Sequence, residues 1–204
     1  NYGRYIYKDG NKYPAPPGPY KEFGQRRWII NGFPMEGSFY LTDKFEKESL
    51  VINAGLRMEW LRPGPPTNDN SWQEQWESVT GLKSDWPSIK YQVMPRLGVS
   101  FPISTKTGIY FSYGHYSKRP GIDDYIRDPY SGGFTGNPNL DFETSVKYEF
   151  GFSHELPKKW ALDIKSYNNE TSGQVGSIEI NPQYSGGIGI HLHDNTEYAR
   201  ARGL

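Results

Sequence analysis

Two histidines one residue apart, His191 and His193, would lie on one face of an extended strand, a spacing that suits half of a zinc site. Asp194 is the nearest further donor, and on a regular strand it points the other way. The pair is therefore read as two polar residues at a loop end, and no metal is expected. Asp123-Asp124 could serve as an acid pair or as calcium ligands. Hydrolytic carboxylates must be set apart across a cleft, however, and adjacent loop residues do not supply that separation. Asn169-Glu170-Thr171 has the form of a glycosylation acceptor, a three-residue pattern that chance supplies freely. The chain shows no Ser-His-Asp order, no glycine-rich phosphate loop and no metalloprotease helix, and its 204 residues include no Cys. It is not expected to be an enzyme, and no catalytic residue, metal or cofactor is assigned.

Charge and aromatics say more. Lys plus Arg and Asp plus Glu both number 23, so the net charge is +0 and nothing favours a nucleic-acid partner. Seven charges alternate with apolar residues: Arg57, Glu59, Arg96, Lys147, Glu149, Asp163 and Lys165. On strands they would share a polar face, either as an ion-pair lattice between neighbours or as contacts for a substrate or another domain. In the loop-like stretches, Trp72, Trp76, Tyr125, Arg127 and Tyr130 offer stacking surfaces and a guanidinium for ligand capture. The same rings could equally pack loop on loop.

What must position these residues is a set of strands. The mean hydropathy of −0.79 suggests a soluble or disordered chain, yet 16 % of residues are aromatic, which disorder does not favour. In residues 49–60, Leu50, Ile52, Ala54, Leu56, Met58 and Trp60 alternate with Asn53, Gly55, Arg57 and Glu59, a period of two. The same alternation recurs at 107–116, 145–154, 160–167 and 96–101, and more weakly at 38–45. Pro95 is expected to mark a bulge or a strand start, because proline cannot donate to a ladder. No run of about 18 apolar residues exists, which excludes a transmembrane helix but not a transmembrane barrel.

The links alternate too. Residues 45–48, 102–106 and 155–158 are short, whereas about 61–90, 117–143 and 168–189 are long and rich in Gly, Pro, Asn and Asp. Outer-membrane barrels keep short turns on the periplasmic side and long loops outside. Trp160 beside a short turn, and Trp60, Tyr113 and Tyr148 toward the long loops, fall on the apolar faces as two interfacial girdles would. The expected fold is all-β: an incomplete antiparallel transmembrane β-barrel segment of about seven or eight strands. Residues 1–34 are expected to be an extracellular loop segment and 35–204 the partial barrel.

Residues 36–45 followed by 50–57 resemble a hairpin of TonB-dependent receptor barrels. So do Pro95-Arg96-Leu97-Gly98-Val99-Ser100-Phe101-Pro102 and Gly108-Ile109-Tyr110-Phe111-Ser112-Tyr113-Gly114. The most specific piece is Gly136-Asn137-Pro138-Asn139-Leu140, leading through Glu143-Thr144 to Tyr148-Glu149-Phe150-Gly151, and the tail 195–204 resembles a family strand. The style is most similar to receptors with a carboxypeptidase-regulatory-like N-terminal domain. The resemblance implies a parent barrel of about 22 strands, in the bacterial outer membrane, active in uptake of a scarce nutrient (siderophore, vitamin, oligosaccharide or peptide). Implied partners are outer-membrane lipid, a plug domain of the same full-length protein, and a TonB complex acting through an N-terminal part. Both ends of the chain fall inside family elements, so it is expected to be a piece that does not close as a barrel alone. Two other readings are a secreted all-β glycan- or protein-binding module, with its apolar faces buried against each other, and a porin or structural barrel.

Overall fold

The computed structural model describes residues 5–8, 11–14, 34–64, 71–85, 88–126, 134–180 and 190–204. It divides into two units, residues 1–31 and 32–204. In the first, β1 (Tyr5–Lys8) and β2 (Asn11–Pro14) pair antiparallel.

The second unit is one sheet. Its elements in chain order are β3 (Met35–Lys47), β4 (Leu50–Arg62), helix α1 (Ser71–Thr80), β5 (Lys90–Ser104), β6 (Thr107–Lys118), helix α2 (Ile122–Ile126), β7 (Phe134–Thr135), β8 (Glu143–Leu156), β9 (Trp160–Ile180) and β10 (Ile190–Gly203). Seven long strands pair antiparallel in the order β3-β4-β5-β6-β8-β9-β10, and the two-residue β7 adds in parallel to β10. All-β with antiparallel neighbours is the expected class. Links of two or three residues, 48–49, 105–106 and 157–159, sit at one end of the sheet, and the two helices follow strands that finish at the other.

Register makes the two faces explicit. Ile52, Ala54, Leu56 and Met58 on β4 lie opposite Val99, Leu97, Pro95 and Val93 on β5. Val99 lies opposite Phe111, Phe111 opposite Phe150, and Phe152 opposite Ile164. This face is apolar and uncovered: Leu41 is 64 % exposed, Phe150 51 %, Trp160 69 %. A soluble sheet would bury such a face against a second layer, which the reading as a secreted binding module requires. Here the buried apolar residues cluster at the loop-bearing end instead, around Leu61, Tyr125, Leu140 and Phe142. Among the described residues no helix is long and apolar enough to cross a membrane.

Two local expectations are corrected. Pro95 neither starts β5 nor bulges it: the β4–β5 register runs unbroken from Val51↔Ser100 to Leu61↔Lys90. The ladder to β6 begins only at Arg96↔Gly114, so the donor that proline lacks falls where that ladder stops. The third long loop is also shorter than the expected 168–189, because β9 continues to Ile180 and β10 pairs with it along that length. Gly173, with φ +69°, and the register shifts between Asp194 and Tyr198 let this hairpin bend and continue.

Candidate functional site

Every predicted charge on the polar face is there. Arg57 and Glu59 on β4, Arg96 on β5, Lys147 and Glu149 on β8, and Asp163 and Lys165 on β9 sit opposite positions of one face, with the apolar residues on the other. Arg57 Nε donates to Glu59 Oε1 at 2.8 Å, and Ser117 Oγ donates to Glu59 Oε2 at 2.6 Å. Lys165 Nζ lies 3.1 Å from Glu149 Oε1 and 5.8 Å from the Tyr110 ring. Arg96 and Lys147 share a different partner, the Tyr116 ring, at 4.6 and 4.8 Å from its centroid. Asp163 stands opposite Ser153, nearer the short turns. The face thus carries an ion pair within β4, another between β8 and β9, and two cations on one ring. Tyr116 is one residue that sequence reasoning missed. Its ring lies over Gly114, and only the fold reveals the two cations flanking it.

The loop-end residues pack on this sheet as a ledge. Trp76 on α1 is fully buried, and its Nε1 donates to the Gly136 carbonyl at 2.7 Å. Tyr125 on α2 is 1 % exposed; burial first, and then the nearby Asp141 and Asp124, push its phenol above the ordinary tyrosine value. Neither ring presents a stacking face to a ligand in this arrangement. Trp72 lies on α1, its side chain outside the described residues, as are Arg127 and Tyr130 altogether.

The motif at 136–140 is the clasp of the ledge. Asn137 Nδ2 donates to the His193 carbonyl, and its Oδ1 accepts from the Asn139 amide. Asn139 Oδ1 accepts from the Asp85 amide, and its Nδ2 donates to the Lys83 carbonyl. Lys90, 8 % exposed, places Nζ 2.6 Å from Asp85 Oδ2 and 3.2 Å from the Asn139 carbonyl. Asn195 bridges Asp141 and Gly173 in the same manner. These side chains hold backbone groups that no ladder reaches.

His191 and His193 lie on β10 opposite Glu179 and Ser177, on one face as the spacing implies. His193 Nδ1 lies 3.2 Å from Asp124 Oδ1, which ties α2 to β10. Asp124 also accepts from the Gly121 amide, so it caps its own turn. Among the described residues no group of three or more metal-ligating side chains forms. Two cavities open at this end of the polar face. One, of about 710 Å³, is bordered by Lys118, Arg119, Asp124, Glu143, His193 and Glu197. The other, of about 400 Å³, is bordered by Glu36, Arg57, Glu59, Ser117, Arg119 and Phe142. Arg119 borders both and pairs with Glu36 across the sheet. No sequence signal beyond its place just after a strand marks it.

A family model described as TonB dependent receptor-like, beta-barrel matches residues 1–204. The chain belongs to this family. Solved structures agree on the fold of this TonB-dependent receptor barrel. The siderophore receptor PirA from Pseudomonas aeruginosa matches with a TM-score of 0.57 at 17 % identity, covering 83 % of this chain and 27 % of that one. A double mutant of the Serratia marcescens hemophore receptor HasR, in complex with its hemophore HasA and heme, matches with a TM-score of 0.58 at 16 % identity, covering 85 % and 32 %. The chain spans about a third or less of the length of these structures. No curated protein matches it.

Proposed function

We propose that this chain supplies part of the wall and outer mouth of an outer-membrane receptor for active uptake of a scarce nutrient. One observation carries the reading: an uncovered apolar face runs from β3 to β9 across six long strands, opposite a charged face, in a family of TonB-dependent receptor barrels. Lipid is the environment that makes such a face favourable, and the charged face is then the lumen wall. The paired Arg57–Glu59 and Lys165–Glu149, with Arg96 and Lys147 on Tyr116, stiffen that wall where a plug domain of the full-length protein would sit. The cavities around Arg119, at the loop end, are where nutrient arrives first. In this reading an inner-membrane TonB complex supplies the work through the plug, since the outer membrane holds no gradient of its own.

The test is made on the full-length protein. It should fractionate with the outer membrane, and cells carrying it should take up one member of a panel of ferric siderophores, cobalamin, oligosaccharides and oligopeptides only when TonB is present. Uptake that proceeds equally without TonB would instead mark a passive porin.

A further inference from the structure

One patch of the apolar face is polar. On β9 the positions of this face are Trp160, Leu162 and Ile164 and then, further from the short turn, Ser166, Asn168 and Glu170. Across on β10, Arg202 lies opposite Asn168 and Arg200 opposite Glu170. Arg202 Nε donates to Asn168 Oδ1 at 2.8 Å. Glu170 Oε1 lies 2.9 Å from Arg200 Nη2 and 3.6 Å from Arg202 Nη2, so two guanidiniums share one carboxylate. Both remain accessible, at 45 % and 59 % exposure. Among the described residues the patch therefore carries two guanidiniums to one carboxylate.

Beside it the same face is grooved. A hollow of about 500 Å³ is bordered by Phe111, Tyr148, Phe150, Ser166, Asn168 and Arg202. Ser166, a small side chain, lies opposite Phe150 within it. Its border thus combines aromatic rings with a hydroxyl, an amide and a guanidinium; Glu149, Tyr167 and Gly203, from positions that alternate to the other face, complete it.

Height decides what this combination meets. Asn168 stands eight residues along β9 from Trp160. That is about 26 Å of strand at ~3.3 Å per residue, or about 20 Å along the barrel axis at a tilt of ~40°. Through the ladders Asn168 pairs with Tyr148, which pairs with Tyr113, the girdle toward the loops. A charge here costs little, whereas the same charge at mid-depth is costly. The guanidiniums thus sit at the headgroups while the aromatic hollow reaches into the acyl region. Guanidinium forks match phosphate oxygens in two-point hydrogen bonds. A nutrient in the lumen would meet the opposite face.

We propose that this hollow is a binding site for a phosphate-bearing lipid of the outer leaflet, with Arg202 and Arg200 on the phosphate and an acyl chain along Phe111 and Phe150. The site rests on the reading that the apolar face meets lipid. It would make a headgroup a fixed part of the wall at β8–β10.

Native mass spectrometry of the full-length receptor after detergent exchange tests this, with lipid A bearing both phosphates as the probe. Wild type and K158Q, changed in a short turn, should retain it equally. R200Q/R202Q should retain about ten-fold less, and R200K/R202K should fall between them. Lipid A stripped of its phosphates should not be retained. Only folded, heat-modifiable protein is compared. Equal retention by R200Q/R202Q, equal retention of the stripped lipid, or displacement by millimolar inorganic phosphate would overturn the site while leaving a protein that still fractionates with the outer membrane. A full-length receptor that is monodisperse in plain buffer would overturn the membrane reading, and the site with it.

Discussion

Trp76 shows how a side chain suited to ligand stacking serves instead to hold the ledge. Its indole fills space at the loop end and satisfies the Gly136 carbonyl, the first residue of the clasp. Trp76→Ala removes both and should cost about 3–5 kcal/mol locally. Trp76→Phe keeps most of the volume and should cost about 1 kcal/mol. In the full-length protein this should appear as graded protease nicking within 63–89, with the strands still resistant. Glu77, one residue on, makes the ledge sensitive to acid. Its carboxylate accepts from the Ser84 amide at 2.9 Å and from the Gln73 amide at 3.2 Å, and these bonds hold its pKa below the ordinary glutamate value. A depressed folded-state pKa gives stability that is complete above the unfolded value and disappears as pH falls through the folded one. Nicking near Lys83 should therefore rise in wild type only below the ordinary glutamate range. Glu77→Gln, whose amide oxygen can still accept from Ser84, should flatten that dependence.

At the scale of elements, aromatic rings lie over glycines of neighbouring strands. Tyr110 on β6 covers Gly151, its register partner on β8, and Trp60 on β4 covers Gly37 on β3. A Cβ at Gly151 would run into the Tyr110 ring, so Gly151→Ala should push the ring aside, away from Lys165. The expected cost is about 1–3 kcal/mol, read as a lower denaturant midpoint for the refolded receptor; Tyr110→Ala in the same background should recover part of it. Much of the sheet was legible because one face of most strands is apolar, as in Leu50 to Trp60. Legibility ends where that contrast ends. Beyond Asn168 both faces of β9 carry polar residues, so the extension to Ile180 has no hydrophobic period to read. The ledge was opaque for another reason. Asn137, Asn139 and Asn195 act through bonds to backbone groups more than fifty residues away, which leave no local pattern. The motif at 136–140 was recognisable as a family feature, but its task as a clasp required the fold.

For the whole molecule, the orientation of the sheet in its surroundings is the claim with most at stake, and depth is the variable that tests it. Leu56 lies on the apolar face about midway along β4, opposite Pro95, whereas Tyr91 lies on the same face opposite Trp60 at the upper girdle. Both are well exposed, at 48 % and 70 %. In water an arginine at either position would be tolerated alike, since an exposed apolar residue contributes little by itself. In a bilayer the two differ. Leu56→Arg should destabilise the full-length receptor by about 2–4 kcal/mol, and Tyr91→Arg by about 0–1 kcal/mol. Denaturant titration of receptor folded into phospholipid vesicles measures the difference. Arg57→Leu is the counterpart on the other face: it breaks the pair with Glu59 without adding charge to the lipid, so its cost should not change with bilayer thickness. Equal costs for Leu56→Arg and Tyr91→Arg would mean that no depth axis exists, and the uncovered face would then belong against another protein layer rather than against lipid.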